Sequence, residues 1–110
     1  MSKQITLAHG NGGRLMHELV DGLRAKFSNR ILDELTDAAE LNIKGLRLAF
    51  STDSYVVKPL LFPGGDIGKL AVCGTVNDIS MKGALPLYIV CLLLLKMGWT
   101  LSFLMKFAAL

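Results

Sequence analysis

The chain has 110 residues, of which 52% are hydrophobic and 19% charged, and its formal net charge is +3. This length allows one domain with a small hydrophobic core. Lys and Arg are too dispersed for the dense basic patch of a nucleic-acid-binding surface, so we expect no nucleic-acid partner. The N-terminus lacks the apolar core of a signal peptide, and Cys73 and Cys91, each within an apolar run, predict buried, reduced thiols. We therefore expect a cytoplasmic protein.

The N-terminal half predicts short elements separated by turns. A short strand is expected over 5–8, and apolar residues recur at helical spacing over 15–27. Residues 33–41 are polar or small, which predicts a loop with at most one turn of helix. A tight turn at 42–45 then precedes a strand predicted over 46–57.

The C-terminal half predicts a helix, a buried strand and a further helix. Asp66 is suited to cap the first of these helices, which Gly83 and Pro86 would close. The run 87–95 is apolar and contains Tyr, Ile and Val, as buried strands do. After a turn, the last helix is predicted over 101–110.

Three aspartates stand out by their context: Asp37, Asp53 and Asp78. Each is flanked by small or apolar residues, so we expect each to be partly shielded from water. Carboxylates that converge on one point repel each other unless a cation lies between them. Mg²⁺ suits such a place, because it binds carboxylate oxygens and leaves room for substrate phosphates.

Each aspartate also has an ordinary structural interpretation. Asp37 would cap a short helix, and Asp53 would be a carboxylate at the end of a strand. Asp78 would pair with Lys82, four residues later in the same helix. For any one aspartate taken alone this interpretation is the favoured one, and spacing in the sequence does not show that the three converge.

Two glycine-containing loops precede predicted helices and are candidates for phosphate binding. The first consists of Gly10, Asn11, Gly12 and Gly13. Its backbone N–H groups and the helix dipole could cradle a phosphate, but it matches neither the Walker pattern nor the dinucleotide fingerprint. A flexible approach to the helix is the alternative. The second loop, 63–66, is followed by Lys69, which either reaches a phosphate or is a solvated surface lysine.

Three segments together resemble one family. They are Leu-Ala-His-Gly-Asn-Gly-Gly-Arg-Leu-Met-His-Glu-Leu at 7–19, Leu-Ala-Phe-Ser-Thr-Asp-Ser-Tyr-Val-Val at 48–57, and the long block at 59–84 that includes Pro-Gly-Gly-Asp-Ile-Gly-Lys-Leu and Gly-Thr-Val-Asn-Asp-Ile-Ser-Met-Lys-Gly-Ala. These segments are similar to the HypE family of hydrogenase maturation proteins, within the PurM/AIR-synthetase-like superfamily. The resemblance covers residues 4–95, and its last block is long and specific.

The resemblance implies an α+β fold of the PurM/AIR-synthetase-like N-terminal type, a mixed sheet with packed helices. Residues 1–110 would form this ATP-binding domain, incomplete at its C-terminal end. Family members are homodimers whose N-terminal-domain strands form a shared barrel. They use ATP to dehydrate a carboxamide carried on their C-terminal cysteine, giving the thiocyanate that supplies the cyanide ligands of NiFe hydrogenases. A HypF-like carbamoyltransferase supplies the carbamoyl group, and a HypC–HypD-like complex receives the cyanide.

The same resemblance assigns site residues. Its Mg²⁺ positions match Asp37, Asp53 and Asp78. Their supporting neighbours match Ser51, Thr52 and Asn77. The first glycine loop and Lys69 match segments near the ATP. No catalytic residue is assigned within the chain.

The C-terminal end departs from the family pattern, and other functions stay open. Lys96-Met97-Gly98-Trp99 replaces an acidic, polar helix start, and the family's second domain and C-terminal cysteine do not follow, so we expect the chain as written not to complete the reaction. One alternative is a nucleotide-binding or dimerising remnant without catalysis. Another is a small membrane-tethered protein using residues 87–105, against which the central Lys96 and Gly98 count, because a lysine is costly in lipid.

Overall fold

The computed structural model describes residues 4–107. The chain divides into two compact units, Met1–Thr36 and Asp37–Leu110. In the described residues the first unit is helical, whereas the second combines two hairpins with helices.

The first unit is built around helix α1, Arg14–Phe27, which confirms the helix predicted there. Four of its apolar residues are half-buried, and these are Leu15, Met16, Leu19 and Val20. They form one apolar face, as amphipathic helices do. The helix ends at Phe27, whose carbonyl oxygen accepts a 3.2 Å bond from Nδ2 of Asn29. Oδ1 of Asn29 accepts 3.0 Å bonds from two backbone N–H groups of the turn that follows. A short 3₁₀ helix, Leu32–Glu34, comes next.

The strand predicted over 5–8 is wrong, because the chain forms a 3₁₀ helix at Leu7–Gly10. Local hydrogen bonds hold this turn. The N–H of Thr6 donates to Nδ1 of His9 at 3.1 Å, and the N–H of His9 donates to the carbonyl oxygen of Thr6 at 3.0 Å. A side chain that bonds the neighbouring backbone competes with strand formation.

The second unit begins with a hairpin of two antiparallel strands, β1 at Ala39–Ile43 and β2 at Leu46–Phe50. Lys44 and Gly45 form the connecting turn, with φ angles of 52° and 86°. Positive φ at both central residues is typical of the type I′ turn, whose twist matches that of the strands. The predicted turn and the predicted start of the second strand are both confirmed.

β1 begins inside the segment 33–41 for which the sequence predicts a loop, and that prediction is wrong from residue 39 onward. The first four side chains of β1 alternate between half-buried and exposed positions. Pairing with β2 decides the conformation, helped by a 2.8 Å bond from Nε of Arg47 to Oε1 of Glu40. β2 ends before the segment 51–57, where the predicted continuation of the strand is not formed.

A second, shorter hairpin leads into the main helix of this unit. β3 at Leu61–Phe62 pairs with β4 at Gly65–Asp66, and α2 follows at Ile67–Met81. The predicted cap is confirmed, since the carboxylate of Asp66 accepts a 3.0 Å bond from the N–H of the third helical residue. Gly83 closes the helix as predicted, with a φ of 65°.

The strand predicted over 87–95 is wrong, because residues 84–100 form neither helix nor strand. A strand needs a neighbour that receives its backbone hydrogen bonds, and no segment of the described chain pairs with this run. Its side chains are exposed, with Val90 at 96%. Cys91 in this run and Cys73 in α2 are free thiols as predicted, but they are exposed rather than buried.

The last element is helix α3, Leu101–Leu104. It is shorter than the predicted helix over 101–110, of which the final three residues lie outside the described chain. Thr100 caps it, because its Oγ1 atom accepts a 3.2 Å bond from the N–H of Phe103.

Helices and small antiparallel hairpins coexist in this chain, which confirms the predicted α+β class. Within residues 4–107, no helix is both long enough and apolar enough to cross a bilayer.

Candidate functional site

Asp37 and Ser51 lie at the open end of the β1–β2 hairpin. Asp37 precedes β1 by two residues and Ser51 directly follows β2. Ala39 pairs with Phe50, so antiparallel pairing brings the flanking residues together. The Ser51 hydroxyl lies 3.1 Å from the backbone carbonyl oxygen of Asp37. This end of the hairpin therefore presents a hydroxyl, a carbonyl and a carboxylate.

Helix α2 brings Asp78 to the same place. Oδ2 of Asp78 lies 3.3 Å from the Ser51 hydroxyl, in a partly buried position. Among the ion pairs of the described residues, Asp78 forms none with Lys82. Arg47 and, more weakly, Lys82 instead lower the pKa of the Glu40 carboxyl. The alternative in which Asp78 serves only to pair within its helix is therefore not what the structure shows.

Asp53 reaches Asp78 from the segment that follows β2. The two carboxyl groups are close enough to share a hydrogen bond when one of them is protonated. The Tyr55 hydroxyl donates to Oδ2 of Asp53 at 2.9 Å. Asp37, Asp53 and Asp78 thus interact electrostatically, with Asp53 and Asp78 as the close pair.

Tyr55 is a site residue that the sequence analysis missed. It lies two residues after Asp53, and in an extended chain that spacing puts both side chains on one side, which is the signal that could have found it. Burial raises the pKa of the Tyr55 phenol, a hydrogen bond with Thr75 lowers it, and Asp53 raises it again. The phenol therefore remains a proton donor toward Asp53 at neutral pH.

The carboxyl groups of Asp53 and Asp78 repel each other when both are ionised. Burial raises the pKa of the Asp78 carboxyl above its ordinary value, and the charge of Asp53 and a hydrogen bond with it raise the pKa further. The Ser51 hydroxyl lowers it, while the more distant charge of Asp37 raises it. Ionising both carboxyl groups therefore costs free energy, which a divalent cation between them would relieve.

The available donors fit Mg²⁺ as a pair rather than as a trio. Mg²⁺ is commonly held by one or two carboxylates, with water and substrate phosphates completing its shell, and Asp53 and Asp78 meet that need. Across residues 4–107, no three His, Cys, Asp or Glu side chains are grouped as ligands of one metal ion. The charge of Asp37 raises the pKa of Asp78, and its carbonyl oxygen contacts Ser51. Asp53 and Asp78 remain the close pair that fits a cation.

The supporting residues named from the resemblance lie beside this pair in the chain. Thr52 precedes Asp53, and Asn77 precedes Asp78; both side chains are exposed. They are therefore accessible to a ligand that approaches the pair.

Lys69 lies at the opposite end of α2. Its Nζ atom donates to the carbonyl oxygen of Gly64 at 3.3 Å, so it is tied to the β3–β4 turn. Nine residues separate Lys69 from Asp78, which corresponds to about 14 Å along the axis and to opposite faces of the helix. The carbonyl of Phe107 also lies against Gly68 in this first turn. The structure does not bring Lys69 to the carboxylate pair.

The first glycine loop, Gly10–Gly13, belongs to the other unit. Asn11 Oδ1 accepts a 3.3 Å bond from the N–H of Gly13, and the carbonyl of Gly13 accepts the first bonds of α1. Gly12 has a φ of 79°, which favours glycine. A shallow cavity of about 630 Å³ with Leu7 and Leu19 in its lining borders this loop. The loop keeps its backbone accessible within its own unit.

Comparison with known proteins adds a family and a set of relatives. Residues 35–109 match the family described as AIR synthase related protein, N-terminal domain. The chain is 51% identical over 100 residues to carbamoyl dehydratase HypE of Escherichia coli (strain K12), covering 86% of this chain and 30% of that protein. It is 46% identical over 111 residues to carbamoyl dehydratase HypE of Rhodobacter capsulatus, covering 97% and 32%.

A third relative carries a broader name. The chain is 43% identical over 99 residues to the hydrogenase expression/formation protein HupE of Azotobacter chroococcum, covering 89% of this chain and 29% of that protein. The chain thus spans 29 to 32% of the length of these three curated relatives. No solved structure matches it significantly.

Proposed function

Since this chain belongs to the family of AIR synthase related protein N-terminal domains, we propose that it is the nucleotide-binding N-terminal part of a HypE-like, ATP-dependent dehydratase. The observation that carries the proposal is the Asp53–Asp78 pair, in which the pKa of Asp78 is raised by burial and by its neighbour. A cation between the two carboxylates would offset their mutual repulsion. The names of the relatives supply the reaction class, carbamoyl dehydration.

Each residue of the site has a part in this proposal. Asp53 and Asp78 hold Mg²⁺, and Ser51 keeps Asp78 oriented through the 3.3 Å contact. Bound Mg²⁺ supplies charge neutralisation for the phosphates of ATP. Thr52 and Asn77 contact the same ligand from exposed positions. Asp37 keeps the local potential negative, which favours binding of the cation.

Two further predicted contacts are not part of the pair. The Gly10–Gly13 loop presents backbone N–H groups at the start of α1, which suit a phosphate. Lys69 is bonded to Gly64 and faces away from Asp78, so it would meet a different part of the ligand. Both remain proposed contacts of ATP, each within its own unit.

The reaction proposed for the whole enzyme removes oxygen from a carboxamide. The γ-phosphoryl group of ATP would be transferred to the carboxamide oxygen of the S-carboxamide, with release of ADP. Departure of that oxygen as inorganic phosphate, with loss of both N–H protons, would leave the thiocyanate. The thiocyanate then supplies cyanide ligands for NiFe hydrogenase. This chain would contribute the binding sites for the cation and the nucleotide. The cysteine that carries the substrate would come from the remainder of a longer protein.

The whole enzyme would also have protein partners and a cellular compartment. The enzyme would act as a homodimer in the cytoplasm. A HypF-like carbamoyltransferase would load the cysteine, and a HypC–HypD-like complex would accept the cyanide. These partners, the homodimer and the compartment are carried over from the family resemblance, and the name of the Azotobacter chroococcum relative supports only the connection with hydrogenase formation.

Binding of ATP with Mg²⁺ tests the proposal directly. Isothermal titration of the full chain should show binding, and Asp53→Asn or Asp78→Asn should each weaken it by at least about tenfold, because a ligand charge is removed. Asp21→Asn is the matched control, since Asp21 is an exposed aspartate of α1. Equal affinities for the wild type and both site variants would contradict the assignment.

A further inference from the structure

Tyr55 is anchored on α2 beside the carboxylate pair. Its hydroxyl donates to Oδ2 of Asp53 at 2.9 Å. The hydroxyl and the edge of the ring lie directly against Gly74, where a Cβ atom would overlap both. Tyr55 is half-buried, whereas Asp53 is exposed.

Gly74 makes this contact possible. It lies in the interior of α2, where glycine is unfavourable relative to alanine. Its missing side chain leaves the space that the Tyr55 hydroxyl fills. Glycine in a helix often marks a close approach of another group, and here the group is a phenol that faces a carboxylate.

We propose that Tyr55 is a positioning residue, which uses the notch at Gly74 to hold the Asp53 carboxylate beside Asp78 so that the two bind one divalent cation. This inference rests on the proposed function, because it assigns the cation to that pair. The bond from Tyr55 engages Oδ2 of Asp53, and in this proposal Oδ1 is the atom that binds the cation.

The physical reason is the freedom of an exposed aspartate. Without a partner, the Asp53 side chain samples several rotamers, and cation binding must select one of them. A hydrogen bond from a half-buried phenol selects that rotamer before binding. Supporting groups of this kind typically change metal affinity by about 10- to 100-fold when they are removed.

Binding of Mn²⁺ with ATP, followed by the electron paramagnetic resonance signal of unbound Mn²⁺, measures the effect. Tyr55→Phe keeps the ring against Gly74 and removes only the hydroxyl, so we expect binding weaker by about 10- to 100-fold. Tyr88→Phe is the matched control, because Tyr88 is 93% exposed, and it should bind as the wild type does. Circular dichroism and the thermal midpoint check that each variant is folded.

A second pair of variants removes the notch. Gly74→Ala displaces the hydroxyl and should weaken Mn²⁺ binding in the same way as Tyr55→Phe. Gly22→Ala in α1 is its control, since a Cβ atom there meets nothing within 4 Å. Loss of binding in Gly74→Ala with wild-type binding in Tyr55→Phe would mean that the notch serves packing only, and the inference would be overturned.

An optical signal separates positioning from a purely structural role. The chain has two tyrosines, so in Tyr88→Phe the tyrosine absorbance reports Tyr55 alone. Added Mg²⁺ should draw charge from Asp53, weaken the bond from Tyr55 and shift the phenol band to shorter wavelength. The shift should vanish in Tyr88→Phe combined with Asp53→Asn. A band that does not move while Mg²⁺ binds would refute the positioning role.

The variants separate the role of Tyr55 from the proposed cation site on which it depends. If Asp53→Asn abolishes binding and Tyr55→Phe leaves it unchanged, the cation site stands and the role of Tyr55 is overturned. If Asp53→Asn itself leaves binding unchanged, the proposed function and the inference fall together. Weakening by both variants, with both controls unaffected, supports the two proposals.

Discussion

At the scale of the single residue, the charge of Asp78 makes the stability of the fold depend on pH. Its carboxyl is half-buried next to Asp53, and its pKa is raised above the ordinary aspartate value. The folded state therefore binds the proton more tightly than the unfolded state does. Stability falls as the pH rises from the ordinary aspartate pKa to the raised one, and stays at the lower level above that window. At neutral pH the ionised pair costs stability.

A pH series of thermal unfolding checks this sign. We expect Asp78→Asn to remove the loss of stability across that window and to have a higher thermal midpoint than the wild type at neutral pH without divalent cations. Mg²⁺ should raise the midpoint of the wild type, because a ligand that binds the native state stabilises it, and should not raise that of Asp78→Asn.

Asp21→Asn serves as the control for this experiment. Asp21 is exposed on α1, and its replacement should change neither the pH profile nor the response to Mg²⁺. If Asp78→Asn keeps the wild-type pH profile, the repulsion between Asp78 and Asp53 does not influence stability.

At the scale of the element, the β1–β2 turn sets the register that brings Asp37 and Ser51 together. Gly45 has a φ of 86°, and an added Cβ atom would meet nothing within 4 Å. Its constraint is therefore conformational rather than steric. The side chain of Asn42 supports the turn by accepting a 3.1 Å bond from the N–H of Gly45.

Replacement of this glycine has a defined cost. We expect Gly45→Ala to lower the free energy of unfolding by about 1 kcal/mol, because L-residues are disfavoured in the left-handed region. Urea denaturation measures the change. Gly22→Ala in α1 should have the opposite sign, a gain of about 0.5–1 kcal/mol from better helix propensity. Equal effects at the two positions would contradict a conformational role for Gly45.

At the scale of the whole molecule, exposed apolar surface is the dominant feature. Among the residues that the structure describes, Ala38 is the one buried hydrophobic residue, at 2% exposure. The segment 85–97 holds a run of large apolar side chains that are more than one-third exposed. Contiguous apolar surface of this kind drives association between chains or with a partner, which is consistent with the homodimer that we propose.

Self-association follows from this surface. Sedimentation velocity over a range of concentrations should show species larger than one chain. Leu92→Lys together with Leu94→Lys, at positions 85% and 89% exposed, should shift the distribution toward the monomer by making the segment polar. Val56→Lys, at a position 98% exposed outside this segment, should not. A single species with the mass of one chain at every concentration would contradict the expectation.

The correct and incorrect sequence predictions differ in a physical way. The helix α1, the cap at Asp66 and the turn at 42–45 were predictable, because their bonds join residues at most four positions apart. The strand predicted over 87–95 was wrong, because no described segment pairs with it. Apolar content alone does not distinguish a paired strand from an unpaired run.

The candidate site divides in the same manner. The sequence by itself identified the three aspartates as candidate metal ligands. Their residue type, their small or apolar neighbours and the family resemblance can all be read without a structure. The sequence also placed Lys69 and Asp78 on one helix, between the cap at Asp66 and the closing Gly83. Those statements need only local geometry.

Only the tertiary structure decided which groups meet. The contact of Ser51 with Asp78 joins residues 27 positions apart, and the notch at Gly74 receives Tyr55 from a different segment. The closeness of Asp53 to Asp78, and with it the raised pKa, depends on how α2 packs near the end of β2. Helical turns and caps are determined by neighbouring residues, whereas a site made from separate segments exists only after packing has brought them together.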